Sequence, residues 1–137
     1  MRTRKALPRD VPAAVALAET LGLDFPGLAG DALWVAEDGG RIVGLVALKV
    51  HDDCRELCAL GVHPDFRGRG AARDLVEALM AGAPGDVHLA TIIPGFFEGC
   101  GFVRAVEVPA AFPAKRQTAW CEGCPRERCT VMVRRKP

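Results

Sequence analysis

A chain of 137 residues is long enough to bury one sizeable core and short for two, so one domain spanning 1–137 is the expectation. With 50% hydrophobic and 26% charged residues, the composition excludes an intrinsically disordered chain. Lys plus Arg number 18 and Asp plus Glu 17, so no overall field draws in nucleic acid or an anionic membrane, and any anion site must be local.

The N-terminal stretch MRTRKALPRD is basic but lacks the apolar run of a secretory signal, and no apolar run reaches the length of a membrane span. The expected location is cytoplasmic. Without an export signal, the 6 cysteines are expected as reduced thiols or metal ligands ahead of a disulfide framework.

Arg2 to Leu7 reads as a short opening strand. Asp10 is a good N-cap, and Val11, Ala14, Val15, Ala18 and Leu21 follow at helical spacing, with Pro12 in the first turn and Gly22 as the stop. The Ala-rich stripe of this helix should lie on a sheet. Leu23 to Asp31 contains Pro26, Gly27 and Gly30 and reads as a loop or a short helical turn. Leu33–Glu37 and Arg41–Val50 are strand-like runs joined through Asp38-Gly39-Gly40, a tight-hairpin signal. Asp52-Asp53 then leads into a third antiparallel strand, Cys54–Val62. A helix begins at Ala71 and ends at Gly82, Pro84 and Gly85. Val87–Ile93 reads as a buried strand, and Pro94 opens a short helix over Gly95–Gly99. Phe102–Val108 and Thr130–Arg135 complete the strands, and 109–129 is expected to be an irregular, Cys-containing segment. The fold class is therefore α/β (α+β, mixed sheet): mostly antiparallel, with one parallel crossover from Cys54–Val62 through a helix to Val87–Ile93, and flanking helices.

That crossover places a helix start at the C-terminal end of a strand, where open α/β sheets bind ligands. The junction reads His63-Pro64-Asp65-Phe66-Arg67-Gly68-Arg69-Gly70-Ala71-Ala72. Unsatisfied N–H groups and the positive end of the helix dipole can receive a phosphate there. The chain has no GxxxxGK[ST] loop, and GRGAA lacks the GxGxxG ending of a dinucleotide fold. For Gly68-Arg69-Gly70 alone, a tight turn with solvated arginines is an equally good reading.

The wider context is more specific. Arg67, Gly70 and Ala72 match [Q/R]-x-x-G-x-[G/A], preceded by Val62, Pro64 and Phe66, and Phe96-Phe97-Glu98-Gly99-Cys100-Gly101-Phe102 supplies an aromatic pair followed by Gly-Phe. In these motifs the chain resembles the GCN5-related N-acetyltransferase (GNAT) superfamily, over nearly its whole length. The resemblance implies the acyl-CoA N-acyltransferase fold and acetyl-CoA as co-substrate. Backbone N–H groups from Arg67, Gly68, Arg69, Gly70, Ala71 and Ala72 would cradle the pyrophosphate, and Leu60, Gly61 and Val62 would pair with the pantetheine arm. Phe97 would lie at the acyl-thioester end. The implied reaction is direct attack of a primary amine on the thioester. Glu56, on the strand before the loop, is the candidate general base, with a raised pKa if buried; a solvent-facing glutamate is the competing reading. Where many relatives carry a tyrosine as general acid this chain has Phe97, and it has no tyrosine at all, so water is the preferred proton source for the leaving thiolate.

Trp120-Cys121-Glu122-Gly123-Cys124-Pro125-Arg126-Glu127-Arg128-Cys129 gives C-x2-C-x4-C. Cys121, Cys124 and Cys129 could form most of a zinc shell, but a second C-x2-C pair is missing, and reduced loop cysteines are favoured over zinc. The same tail resembles the small, single-domain N-acetylglutamate-synthase-like branch, which implies glutamate as acceptor at the start of arginine synthesis. VPAA after the Gly-Phe strand resembles acetyltransferases associated with arsenic resistance, implying another small amine. Lys115, Arg116 and Arg104 could hold a substrate carboxylate or form a solvated basic face. A non-catalytic acetyl-CoA-binding domain is the alternative of a different class. The expected partner is a small-molecule amine, without nucleic acid or membrane, for a monomer or homodimer.

Overall fold

Asp38-Gly39-Gly40 forms the tight reversal its composition demands: Gly39 and Gly40 both have positive φ, 57° and 82°. The structure is a computed structural model that describes residues 1–112 and 129–137. Its elements are β1 (Arg2–Lys5), α1 (Val11–Thr20), β2 (Ala32–Asp38), β3 (Arg41–Val50), β4 (Arg55–Val62), α2 (Ala71–Gly82), β5 (Val87–Thr91), α3 (Pro94–Gly99), β6 (Val103–Arg104) and β7 (Thr130–Arg134). The sheet has 7 strands in the order β1-β2-β3-β4-β5-β7-β6. The pairs β1–β2, β2–β3, β5–β7 and β6–β7 are antiparallel, and β4–β5 is parallel with Glu56 opposite His88. The expected crossover through α2 is therefore present.

The chain divides into two compact units, Met1–Lys49 with Leu57–Ala83, and Val50–Glu56 with Pro84–Pro137. In the first, Ala14, Leu17 and Ala18 of α1 pack with Leu33 and Val35 of β2 and Leu45 and Ala47 of β3. Alternate residues of a strand face opposite ways, so Trp34 looks to the other face of β2, where it meets α2 at Gly82. Leu75, Val76, Leu79 and Met80 form the buried stripe of α2. β2 is thus covered on both faces.

Asp10 stands at the start of α1 but its carboxylate makes no capping bond to the helix. It accepts instead from Arg4 Nη1 at 2.6 Å, Arg4 Nη2 at 3.1 Å and the Leu7 N–H at 2.7 Å. Those bonds, Arg4's first, pull its pKa down to about 2. A nearby guanidinium offers a charge-assisted bond that a helix N–H cannot match, which is why the capping expectation fails in detail.

Gly82 closes α2 under the ring of Trp34: a Cβ there would lie 2.6 Å from Trp34 Cζ2. A Gly→Ala change in a helix ordinarily gains about 1 kcal/mol. Here the ring is buried and must shift, so Gly82→Ala is expected to destabilise by roughly 1–3 kcal/mol, the range for overpacking. Denaturant unfolding should show a lower midpoint at unchanged slope.

In the second unit β7 pairs along β5 from Thr91↔Thr130 to Val87↔Arg134, and β6 adds Val103↔Val133 and Arg104↔Met132. Two expected strands are shorter than their apolar runs. β5 stops at Thr91, whose Oγ1 accepts the Ile93 N–H at 2.9 Å and turns the chain. β5 also alternates in burial, with Val87, Leu89 and Thr91 buried and His88 and Ala90 only half-buried. β6 covers only Val103–Arg104, because the chain bends at Val106 and Glu107 ahead of Pro109, which has no N–H to donate. Among the described residues, no helix is long and apolar enough to cross a membrane.

Candidate functional site

The junction between β4 and α2 is assembled by short-range bonds. The His63 N–H donates to the Val43 carbonyl at 2.7 Å, and His63 Nδ1 accepts from the Asp65 N–H at 3.1 Å. Pro64–Phe66 forms one 3-10 turn. Arg67 Nε then donates to the Val62 carbonyl at 3.0 Å, tying the loop back to the end of β4. Arg69 lies over the Phe66 ring, 5.1 Å from its centroid. The arginines around the glycines thus have structural partners: Arg67 latches the loop and Arg69 stacks on it.

Gly68 and Gly70 have φ of 81° and 80°, a region costly for any residue with a Cβ. A Cβ built at either meets no atom of the described residues beyond its chain neighbours within 4 Å, so among them the space above both glycines is open. The Gly70 carbonyl accepts the Asp74 N–H at 3.0 Å, the first helical bond of α2. Ala71 and Ala72 precede that bond, in the first turn, where helix N–H groups lack a carbonyl partner within the helix. Open space above glycine backbone, beside the positive end of a 12-residue helix, fits a diphosphate. Among the expected cradle residues, Ala71 is buried, Ala72 is half-buried, and Arg67 through Gly70 are exposed.

Leu60 and Gly61 are half-buried and Val62 is buried. A Cβ at Gly61 would sit 2.5 Å from Leu23 Cδ1 and 2.9 Å from Leu21 Cδ1, so the strand end admits no side chain there. Upstream, Ala59 has φ of 55°, the sole positive value at a non-glycine residue among those described. The burial alternation of β4 breaks at this point, with Glu56 through Ala59 all buried in succession. Nothing in an alanine announces a left-handed conformation, so this bend was not legible in the sequence.

Glu56 opens the inward run of β4 and is 2% exposed, which decides between the two readings of its position: it does not face solvent. Its Oε1 is 2.8 Å from His51 Nε2 across the turn that the His51 N–H closes onto the Cys54 carbonyl at 2.9 Å. The pairing of a histidine with a glutamate across Asp52-Asp53 was missed from the sequence; its one signal is that both flank a tight turn at the start of a strand. His88 is the register partner of Glu56 on β5. Burial first, then Arg135, pushes the His88 imidazole down, and its buried Nδ1 has no hydrogen-bond partner among the described residues. Burial, with Asp53 and Glu56 beside it, raises the Cys54 thiol to about 11, which removes it as a thiolate nucleophile at neutral pH.

Phe97 of α3 is buried at 5% exposure, set edge-on to Phe96 at 5.0 Å and to Phe102 at 5.8 Å between centroids. The partly exposed ring of the aromatic pair is Phe96. Cys100 is buried and Arg104 is exposed on β6. Cys129 is half-buried, while Cys121, Cys124, Lys115 and Arg116 lie outside the described residues. Among the described residues, no group of three or more His, Cys, Asp or Glu side chains could hold a metal ion.

The site region is thus a positive-φ glycine loop at a helix start, following a strand of a mixed sheet with one parallel crossover. Residues 29–104, more than half of the chain, match the model of the acetyltransferase (GNAT) domain, and the chain belongs to that family. No curated protein sequence matches it. Among solved structures it is similar to Rv2747 of Mycobacterium tuberculosis, determined with CoA, at 22% identity and a TM-score of 0.72 over 100% of both chains. It is similar to the N-acetylglutamate synthase of Neisseria gonorrhoeae, determined with coenzyme A and N-acetyl-glutamate, at 22% identity and a TM-score of 0.72. That alignment covers 98% of this chain and 34% of the synthase. The GNAT family N-acetyltransferase YhbS of Escherichia coli, determined with CoA, is 20% identical at a TM-score of 0.67, over 98% of this chain and 80% of that one. At these identities the similarity establishes the fold.

Proposed function

We propose that the chain transfers acetyl from acetyl-CoA to the α-amine of an amino acid such as glutamate. The observation that carries the cofactor half of this reading is the open space above Gly68 and Gly70 beside the N–H groups of α2. In this reading Arg67 through Ala72 hold the pyrophosphate and Leu60 to Val62 receive the pantetheine amides. The amine nitrogen attacks the thioester carbonyl carbon, the C–N bond forms, the C–S bond breaks, and the sulfur leaves as CoA thiolate. Glu56 takes the amine proton, directly or through water, and water returns a proton to the thiolate.

The choice of acceptor is supported by the fold shared with the gonococcal synthase, which was determined with N-acetyl-glutamate. A peptide-like α-ammonium of pKa about 8 costs about 1.4 kcal/mol to deprotonate at pH 7, a lysine-type amine near 10.4 costs about 4.6, and a free amino acid lies between those cases. In this reading the base must therefore meet a cost intermediate between the two. In this reading the C-x2-C-x4-C cysteines are reduced thiols.

The test is release of free CoA in steady state across a panel of amino acids and small amines. Glutamate is expected to give the highest kcat/KM. Turnover of another amine in preference to glutamate overturns the acceptor; tight CoA binding with no turnover on any amine overturns catalysis.

A further inference from the structure

A cleft of about 810 Å³ lies between α1 and the β2–β3 hairpin, within the roughly 300–1,000 Å³ range of small-molecule sites. Arg9, Ala13, Ala16, Leu17 and Thr20 line it at helical spacing, along one face of α1. On the hairpin side it is lined by Gly40, Arg41 and Ile42, and His63, the first residue past β4, joins them. α1 covers the face of β2 that carries Leu33 and Val35, whereas α2 covers the face that carries Trp34. The cleft and α2 therefore lie on opposite faces of the sheet.

Its lining combines an apolar surface with cationic donors. Ala13, Ala16, Leu17 and Ile42 supply the first, and Arg9, Arg41 and His63 the second. The acid in the wall, Asp10, is held by Arg4 at 2.6 Å, and Arg4 also takes Glu37 at 2.9 Å. Asp38, opposite Arg41 in the hairpin, lies 3.3 Å from the Met1 amino group. Among the described residues Arg9 and Arg41 form no ion pair. His63 Nδ1 accepts the Asp65 N–H at 3.1 Å, and the neutral tautomer that does so carries its proton on Nε2, a further donor. A guanidinium presents a planar fork that matches carboxylate and phosphate oxygens. We infer that the cleft is a second binding site, separate from the glycine loop, for a small organic anion. The carboxylate or phosphate of that ligand meets Arg9, Arg41 and His63, and its carbon skeleton covers Ala13, Ala16, Leu17 and Ile42. The site does not depend on acetyl transfer.

The experiment follows the assigned backbone amide signals of the full chain by NMR during titration with benzoate and with phenyl phosphate. Acetate and inorganic phosphate carry the same head groups without the ring and are titrated in parallel. At least one ring-bearing probe is expected to shift Arg9, Arg41, Ile42 and His63 and to leave Gly68, Gly70 and Ala72 in place. The tighter of the two tells a carboxylate ligand from a phosphate. Its ringless counterpart should bind about tenfold more weakly, because the skeleton no longer covers apolar surface. Arg9 and Arg41 are exposed, so Arg9→Gln combined with Arg41→Gln should leave the fold intact and weaken the ring-bearing probe at least about tenfold. Saturating CoA should leave the probe's affinity unchanged. No shift in the cleft at millimolar probe overturns the site, as does a shift confined to the glycine loop. Equal binding of the ringless anion overturns the organic ligand, and unchanged affinity in the double variant overturns the guanidinium contacts. Displacement of the probe by CoA overturns a site separate from the glycine loop.

Discussion

Gly70→Glu is expected to abolish CoA binding while the protein stays folded. Gly70 has φ of 80°, so any L side chain there costs about 1–2 kcal/mol of backbone strain, a loss an ordinary domain survives. Beyond its chain neighbours, no described atom lies within 4 Å of the new Cβ, so the first carbon of the side chain meets open space. What it fills is the open space above the loop, with a bulky group and a negative charge where a diphosphate would sit. Losing two charge-assisted bonds alone, at roughly 1.5–3 kcal/mol each, lowers affinity by at least about 100-fold. Calorimetric titration with CoA, run with thermal unfolding of the same sample, separates the two effects. Gly70→Ala carries the strain without the charge and should lose far less. Unchanged CoA affinity in Gly70→Glu removes the loop from the site.

Glu56→Gln should lower kcat at neutral pH by about 10²–10⁴-fold, the usual contribution of a positioned base, and leave CoA affinity as it was. The amide fills the same volume and can still meet His51, so the fold is not in question. The defect should shrink as pH rises past the pKa of the acceptor amine, because an amine already neutral in solution needs less help. A Glu56→Gln protein that keeps its neutral-pH rate places the base elsewhere.

The parts of the molecule that were legible in the sequence are those where one residue type is forced by geometry. Asp38-Gly39-Gly40 gave the hairpin because positive φ at successive positions nearly requires glycine there. Gly68 and Gly70 announced the positive-φ loop for the same reason, and the strand–loop–helix order around them located α2 and the parallel crossover. The end of β5 was misread because Ile92 and Ile93 continue an apolar run, whereas the Thr91 hydroxyl bonding to the Ile93 N–H decides where the strand stops. β6 was overextended because Val103, Val106 and Val108 imitate strand alternation up to a bend that no single residue signals. Asp10 was read by its local role as a helix cap, while a partner six positions upstream, Arg4, claimed its carboxylate. The Glu56–His51 contact had the same character, a side-chain pairing made across a turn, which neither periodicity nor propensity encodes.

Ala59 and Gly61 together act as a stop against sliding. A strand can slip by two residues and keep every side chain on its proper face, so alternation alone does not forbid that error. In β4 it is forbidden in both directions. Slipping one way would bring Leu57 to the left-handed position of Ala59, φ 55°, and would carry the methyl of Ala59 to where a Cβ lies 2.5 Å from Leu23 Cδ1. Slipping the other way would seat Gly61 comfortably in the left-handed position but drive His63 into that same crowded spot. The register of the strand end from Leu57 to Val62 is thereby pinned, and an insertion or deletion within it should displace the left-handed bend at Ala59 even in a protein that still folds.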